Sequence, residues 1–363
     1  MKEINRRKTR IVKVGDVKIG GANPISVQSM TNTDTKDIKA TVRQIKELER
    51  IGCEIVRIGV PNIESARAIK KIKRQINIPL VADIHFDHRL AIEAINQGID
   101  KIRINPGNIG GSASSLQGKK ERVKEIVEAA KKKKIPIRIG INSGSIEKDL
   151  LKKYKDKVPA EALAESAMRS IKLFERFNFR DIVVALKSTD VLTTVRAYEI
   201  LAKKGDWPFH LGITESGMAR TGIVKSSIGI GGLLLEGIGD TIRVSLSGPP
   251  IEEVKVGWEI LKSLDLRKRG LTVISCPTCA RTKIPVAEIA EYIEGFSEKI
   301  GSKPVKIAVM GCIVNGLGEA RHTDFAVVGM ENKKAAIFRK GKFIKNIRPG
   351  RIKNSLKNLL GIG

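Results

Sequence analysis

The chain has 363 residues, 41% of them apolar, which is enough for a substantial core and excludes wholesale disorder. It carries 67 Lys+Arg against 39 Asp+Glu, a formal charge of +28, with aromatics at only 4%; this balance suits a polyanionic partner, but such a scarcity of rings argues against stacking on single-stranded nucleic acid. Four cysteines exclude a disulfide scaffold at this length, the charged opening MKEINRRKTR leads into no apolar signal core, and no apolar run is long enough to span a bilayer, so a cytoplasmic protein with reduced thiols and no membrane contact is expected.

Short β-branched runs recur at 25–30, 54–60, 80–86, 101–106, 136–142, 181–188, 209–216 and 241–247, each ending in polar or glycine residues. Amphipathic stretches follow them at 37–50, 62–75, 87–97, 119–134, 160–177, 191–204, 219–236 and 251–263. In the first of these, Ile38, Val42, Ile45 and Leu48 fall on one helical face and Gly52 supplies a stop. The apolar density of the runs suits parallel strands buried on both faces. Eight even units in about 260 residues match an α/β fold of the (β/α)8 TIM-barrel type, whereas a doubly wound sheet seldom needs so many.

At 264–270 (LDLRKRG) the rhythm breaks, dividing the chain into a barrel at 1–264 and a C-terminal domain at 265–363. The second part reads as strand 271–275, helix 285–300, strand 305–310, a glycine loop, strands 324–329 and 335–339, and a short basic helix 351–360. That is a small α+β domain, and it holds three of the four cysteines.

A barrel presents its chemistry at the C-terminal ends of its strands. In chain order those ends supply Arg57; Asp83 and His85; Arg103 and Asn105; Arg138 and Asn142; Lys187; Thr214 and Glu215, with His210 at the strand start; then Arg243 and Ser245. Five cations thus converge on one mouth. Buried like charges repel, so the arrangement calls for a counter-anion, and a phosphate or diphosphate is what guanidinium forks grip bidentately. Pairing with barrel carboxylates would explain any single cation; it explains five less well, because the strand ends offer only two acids, Asp83 and Glu215. Those two suit acid–base work or orientation of substrate hydroxyls. The glycine tracts 107–111 and 229–232 read as plain turns that could also cradle phosphate.

Cys276-Pro-Thr-Cys279 follows a strand, and Cys312 follows another. Three thiols suit an iron–sulfur cluster with one iron left to a weaker ligand, and Glu319, seven residues beyond Cys312 across the glycine loop, could supply that oxygen. A zinc knuckle completed by His322, or a metal-free C-x-x-C redox pair, stays open on spacing alone. Cys53 lies among apolar neighbours before the second strand and reads as a core residue.

The stretches RRKTR, VQSMTNTDT, VADIHF, RINPGNIG, IPIRIGINSGS, HLGITESG, GIGDTIRVSLS, CPTCAR and GCIVNGLGEA follow in this order along nearly the whole chain. Together they closely resemble the bacterial two-domain 4-hydroxy-3-methylbut-2-en-1-yl diphosphate synthase family. The resemblance implies a TIM barrel followed by a [4Fe–4S] domain, and a homodimer whose active site is shared, the cluster domain of one chain closing over the barrel mouth of the other. It implies that Cys276, Cys279, Cys312 and Glu319 hold the cluster, with Asn315 beside it. The substrate would be 2-C-methyl-D-erythritol 2,4-cyclodiphosphate, an intermediate of the methylerythritol phosphate pathway to isoprenoids. Two electrons delivered singly, from reduced flavodoxin or ferredoxin, would open its ring and eliminate water, a substrate oxygen taking the place of Glu319 on the unique iron. Arg57, His85, Arg103, Arg138, Asn142, Lys187, Arg243 and Ser245 would clamp the diphosphate, and Asp83 and Glu215 would orient or protonate the hydroxyl region.

One departure stands out: the family pattern after the third cysteine reads V-N-G-P-G-E, and this chain has Leu317 in place of the proline, which leaves the expected loop less constrained. Two other classes stay open on composition. One is a non-redox barrel enzyme acting on a phosphorylated substrate, with a structural zinc domain. The other is a basic RNA-binding protein, motivated by the ten Lys+Arg and single Glu of residues 331–363. Spaced charges of that kind equally describe a solvated surface, and no nucleic-acid partner is expected.

Overall fold

A computed structural model describes residues 4–111, 116–331 and 334–362. The chain divides into two compact units, Met1–Arg267 and Lys268–Gly363. The break falls just past the expected one because Arg267 belongs to the barrel: its guanidinium bonds Glu54 at 2.8 Å and the Ile25 carbonyl at 2.9 Å, and lies 4.6 Å from the Trp258 ring.

The first unit opens with a hairpin, β1 (Val12–Val14) and β2 (Val17–Ile19), that the sequence reading did not anticipate. Eight parallel strands follow: β3 (Ser26–Met30), β4 (Ile55–Gly59), β5 (Leu80–Asp83), β6 (Lys101–Ile104), β7 (Ile137–Asn142), β8 (Ile182–Lys187), β9 (His210–Leu211) and β10 (Thr241–Ile242). They run in the order β8-β7-β6-β5-β4-β3-β10-β9, and a parallel bridge between Val184 and Phe209 joins the two ends into a barrel. The expected strands 209–216 and 241–247 are cut to two residues each. Beyond them the chain leaves the ladder to make room for long side chains; a Cβ on Gly212 would meet Lys187 Nζ at 2.8 Å and the Arg243 carbonyl oxygen at 2.6 Å.

Helices on the outside alternate with the strands, and the sequence marks their starts. Asp37 accepts from Ala40 N–H at 2.9 Å, Asn62 from Ser65 N–H at 2.9 Å, and Asp190 from Thr193 N–H at 2.7 Å. A further short helix, Lys148–Lys153, follows β7 and was not expected. The tract 229–232, read as a turn, lies inside helix Ala219–Leu235, where Gly229 packs against Ile213 and Val191; it is no phosphate cradle.

Helices and outward-facing strand residues share one apolar core, while the interior of the barrel is different. Its floor is a separate apolar cluster in which Val12, Val14 and Ile19 of the hairpin pack against Ile55, Val81 and Val183. Two residues along β4 and β5 from that floor stand Arg57 and Asp83, because successive residues on one side of a strand are two apart. The hairpin therefore seals the end of the barrel opposite the candidate site.

The second unit is a five-stranded sheet, β11 (Leu271–Ser275), β12 (Val305–Met310), β13 (Phe325–Met330), β14 (Lys334–Arg339) and β15 (Lys342–Ile347), in that order. The first three strands are parallel and the last two antiparallel. Alternate residues serve two cores: Ile307, Val309, Val327 and Ile337 pack with helices Val286–Glu294 and Ile352–Leu359, while Ala308, Met310, Val328 and Phe338 form the opposite face. The lysine-bearing edge strand β15 escaped the sequence reading because it is almost wholly exposed and lacks a buried stripe. The expected helix 285–300 breaks at Gly295.

The expected glycine loop after Cys312 is a helix, Ile313–Arg321. Gly316 lets it sit close on the sheet: a Cβ there would lie 2.3 Å from a methyl of Val328. Leu317 falls in its interior, half-exposed, where leucine favours helix and proline would remove a hydrogen bond. The replacement thus regularises this segment rather than loosening it.

The barrel floor yields a stability test. Ile19→Ala is expected to destabilise the protein by about 2–5 kcal/mol in urea denaturation, with the far-ultraviolet circular dichroism of the native state unchanged. A loss under about 0.5 kcal/mol would show that the hairpin is not part of the barrel's packing.

Candidate active site at the barrel mouth

Parallel pairing in register turns isolated charged residues into a row. Asp83 on β5 is opposite Arg103 on β6, and Arg103 is opposite Arg138 on β7. Higher up, Asn142 on β7 is opposite Lys187 on β8. These side chains open into a cavity of about 160 Å³ lined by Arg57, Asp83, His85, Arg103, Arg138, Asn142, Lys187, Arg243 and Ser245, together with Gly140, Ala185 and Thr214. The structure therefore gathers every barrel residue expected to grip the substrate. Glu215 is the exception among the acids: it stands exposed outside the lining, with φ of +48°, a conformation costly for a non-glycine residue.

Asp83 organises one side of the cavity. Its carboxylate accepts from Arg103 Nη1 at 3.2 Å and lies 3.4 Å from His85 Nε2 and 3.9 Å from Arg57 Nε. Burial alone would raise its pKa; the Arg57 charge, the His85 hydrogen bond and the Arg103 charge outweigh that and hold it well below the usual carboxylate range. In this setting the carboxylate is held as an anion and accepts from its cationic neighbours.

The other side is organised by a residue that the strand-end reading missed. Glu253, in the first turn of helix Pro250–Ser263 and 4% exposed, accepts from Arg243 Nη2 at 3.0 and 3.1 Å and from Arg243 Nε at 3.3 Å. It also takes the Ser29 hydroxyl at 3.0 Å and the Leu246 N–H at 3.1 Å. Its one sequence signal is its place in the first turn of a helix, where acids are common for reasons of the helix dipole.

Between these anchors the remaining cations are poorly compensated. Arg138 is 1% exposed, and its Nε and Nη1 have no hydrogen-bond partner. Burial, then the charges of Arg57 and Arg103, push its pKa well down. Lys187 is pushed down by burial and then by Arg138 and Arg243. Buried guanidinium donors without partners, in the wall of a cavity that cations dominate, suit an anion that has several acceptor oxygens. Asn105 has a supporting role: it bonds the Ser145 hydroxyl at 3.0 Å and the Gly107 N–H at 3.0 Å, bracing the loop beside the mouth. Cys53 is buried outside the site, and burial pushes its thiol up to about 12.

In the second unit, Cys276 follows β11 and Cys312 lies two residues past β12, at the same end of two paired strands. The Gly311 N–H donates to Cys276 Sγ at 3.1 Å, and the loop carrying Cys279 is tied to the same place by the Lys283 N–H bond to the Gly311 carbonyl at 2.8 Å. Cys276 and Cys312 are half-buried, Cys279 is exposed, and none is in a disulfide. Cys312 is the N-cap of helix Ile313–Arg321. Glu319 is seven residues on, hence on the same helical face two turns away, about 10 Å along the axis. Asn315 lies exposed in the first turn, and His322 is the exposed C-cap. Among the described residues, no three His, Cys, Asp or Glu side chains converge tightly enough to hold a metal ion as they stand. The chemistry of the donor set nevertheless fits a cluster: three thiols at one sheet end, a carboxylate in line with one of them, and a helix N-terminus whose dipole favours the negative charge of a thiolate-bound centre.

A model of the GcpE TIM-barrel domain matches residues 9–258, and one of the GcpE protein C-terminal domain matches residues 272–361. A 4-hydroxy-3-methylbut-2-en-1-yl diphosphate synthase (flavodoxin) of Caldanaerobacter subterraneus subsp. tengcongensis is 54% identical over 343 residues, which cover 94% of each chain. The protein of the same name from Fusobacterium nucleatum is 52% identical over 98% of this chain and 97% of its own. Among solved structures, the N-acetylneuraminic acid synthetase of Leptospira borgpetersenii aligns over 80% of this chain and 98% of its own, with TM-score 0.51 at 13% identity, a likeness of fold alone. None of these matches supports a non-redox barrel enzyme with a structural zinc domain or an RNA-binding protein.

The carboxylate network makes a pH-dependent prediction. Asp83→Asn leaves buried cations uncompensated and is expected to lower stability at neutral pH by about 3–5 kcal/mol. Because Asp83 titrates below its unfolded value of about 3.9, its contribution is full above that pH and is lost as pH falls through the folded value. Urea denaturation at several pH values should therefore show the gap between wild type and variant constant from about pH 5 to 8 and narrowing below about pH 4. A gap that widens in acid would contradict the assignment.

Proposed function

This chain belongs to the GcpE family, whose curated members are 4-hydroxy-3-methylbut-2-en-1-yl diphosphate synthases, iron–sulfur oxidoreductases of isoprenoid precursor synthesis, and from that premise we propose how its residues divide the reaction. The substrate is 2-C-methyl-D-erythritol 2,4-cyclodiphosphate and the product (E)-4-hydroxy-3-methylbut-2-enyl diphosphate. Two electrons and one proton enter and one water leaves. The C2–O bond to phosphate breaks, the C3 hydroxyl departs, and a C2=C3 double bond forms, with the diphosphate retained on C4.

The observation that carries this reading is the cavity: five cations, four on strands and Arg243 just past the end of β10, face a space whose one lining carboxylate, among the described residues, is already committed to three of its neighbours. Arg57, Arg103, Arg138, Lys187 and Arg243 hold the diphosphate oxygens, with His85, Asn142 and Ser245 as further donors. Arg138, the most deeply buried of these guanidinium groups, is the one the protein itself satisfies least. Holding the diphosphate as the ring opens stabilises the charge that develops on the departing phosphate oxygen. Asp83, fixed as an anion, orients the cations and accepts from a substrate hydroxyl. Glu215, which follows the lining residue Thr214 in the chain, would protonate the leaving hydroxyl.

Cys276, Cys279 and Cys312 would hold a [4Fe–4S] cluster, with Glu319 as a displaceable oxygen ligand and Asn315 near it. When bound, such a cluster supplies electrons one at a time, received from reduced flavodoxin or ferredoxin; the relatives' names carry flavodoxin. A strongly basic chain speeds encounter with an acidic donor. The enzyme works as a homodimer with the site shared between chains. Support for a second copy comes from helix Ala219–Leu235, whose Val224, Ile228 and Leu235 are exposed, with Met218 just before it and Leu192 on the adjoining helix Val191–Ala202 also exposed. Among the described residues no helix is long and apolar enough to cross a membrane.

Two variants test the division of labour. After anaerobic purification, Cys276→Ser is expected to lose iron and labile sulfide and all turnover while still binding the cyclodiphosphate. Arg138→Ala should keep its iron and lose binding, by about tenfold or more. At substrate concentrations too low to saturate Arg138→Ala, neither alone should turn over appreciably, and mixed dimers of the two should recover activity. A wild-type protein with zinc but neither iron nor labile sulfide would overturn the cluster, and unimpaired binding by Arg138→Ala would overturn the diphosphate clamp. No activity from proven mixed dimers would overturn the shared site.

A further inference from the structure

Beneath the cavity lies a buried cation that the mechanism above does not use. Lys101 is the first residue of β6, two before Arg103, so its side chain enters the barrel on the same side one row lower. It is 0% exposed, and its Nζ has no hydrogen-bond partner. Among the described residues, its surroundings hold no compensating acid. On β5 it is opposite Val81, a member of the apolar floor. From β4 and β7 it feels Arg57 and Arg138, and from β9 the fully buried His210, whose two ring nitrogens are also unpartnered. Asp83, one row up on β5, is taken by Arg57, Arg103 and His85. On β3, Gln28 contributes an unpartnered amide but no charge, and the hairpin below is apolar.

A buried ammonium between two guanidinium groups and without a carboxylate is the easiest of the three to discharge. Guanidinium starts above 12 and keeps its proton; an ammonium starts near 10.4. Burial, then Arg138 and Arg57, push Lys101 well down. An anion on Arg57 and Arg138 reverses the local field and favours the charged lysine. Resting on the diphosphate reading of the cavity, we propose that Lys101 is a sixth, concealed cation of the substrate site, which takes up a proton from solvent when the diphosphate binds. The proton goes onto Nζ, and the bound anion provides the charge that the protein lacks. This confines full positive charge beneath the site to the time when substrate is present. It also makes affinity fall as pH rises between the free-site and occupied-site values, by at most about tenfold per pH unit per proton.

The test is calorimetric titration of the holoenzyme, without reductant, with 2-C-methyl-D-erythritol 2,4-cyclodiphosphate, whose two acidic groups are ionised throughout the working range. At about pH 8, titrations in buffers of different ionisation enthalpy read the net proton uptake directly. Wild type is expected to take up protons, and Lys101→Met to take up measurably fewer. Lys187 lines the cavity and contributes uptake of its own, so the difference between the two proteins is what counts. Lys101→Arg, which cannot release its proton, is expected to show the same reduced uptake, and it serves if the methionine variant fails to fold. A wild-type heat independent of buffer, or uptake unchanged in either variant, overturns the proposal. Absence of any saturable heat in wild type would overturn the diphosphate reading itself, and the role of Lys101 with it.

Discussion

The barrel is organised around mutual repulsion of cations that cannot reach water. At 4 Å, two like charges in a protein of effective dielectric 20 repel by about 4 kcal/mol, and Arg57, Arg103, Arg138, Lys187 and Arg243 all enter one cavity. Two carboxylates make the arrangement tolerable. Asp83 faces Arg57, Arg103 and His85, while Glu253 grips Arg243 along one edge of its guanidinium. Each anchors one side of the mouth and leaves Arg138 and Lys187 between them with little compensation. Under the proposed function, the missing charge is the ligand's to supply.

The rest of the barrel holds this arrangement in place. Outward-facing residues of the strands merge with the helices in a continuous apolar core, which fixes strand register and so fixes the charged row Asp83–Arg103–Arg138. The N-terminal hairpin closes the opposite end with Val12, Val14 and Ile19. A dry floor keeps the dielectric low around the cations, which strengthens both their repulsion and their hold on a bound anion. In the second unit the same period-two alternation builds two cores on one sheet and leaves three cysteines at one end of β11 and β12.

Much of this was legible in the residues. The eight β-branched runs and their amphipathic partners reported a parallel barrel because strands buried on both faces have a distinctive apolar density. The strand-end residues were legible for a geometric reason: the fold class itself says which end of each strand carries chemistry. Glu253 was not, since it sits in a helix and reaches the mouth only through tertiary packing. The hairpin β1–β2 was missed because three-residue strands carry no period long enough to recognise. The glycine-bearing segment after Cys312 read as a loop on helix propensity, but close packing of Gly316 on Val328 favours glycine in the helix that forms.

The amino-acid sequence alone determined the class of fold, the chemistry of the donors at the barrel mouth, and the thiols of the second unit, because these depend on residue type and local period. It could not determine how charge is shared. How Asp83 is held, whether Lys101 has a partner, and which acid restrains Arg243 depend on burial and on neighbours that only folding brings together. Coulomb energies inside a protein are set by those distances and by the exclusion of water, and both exist only once the chain has folded.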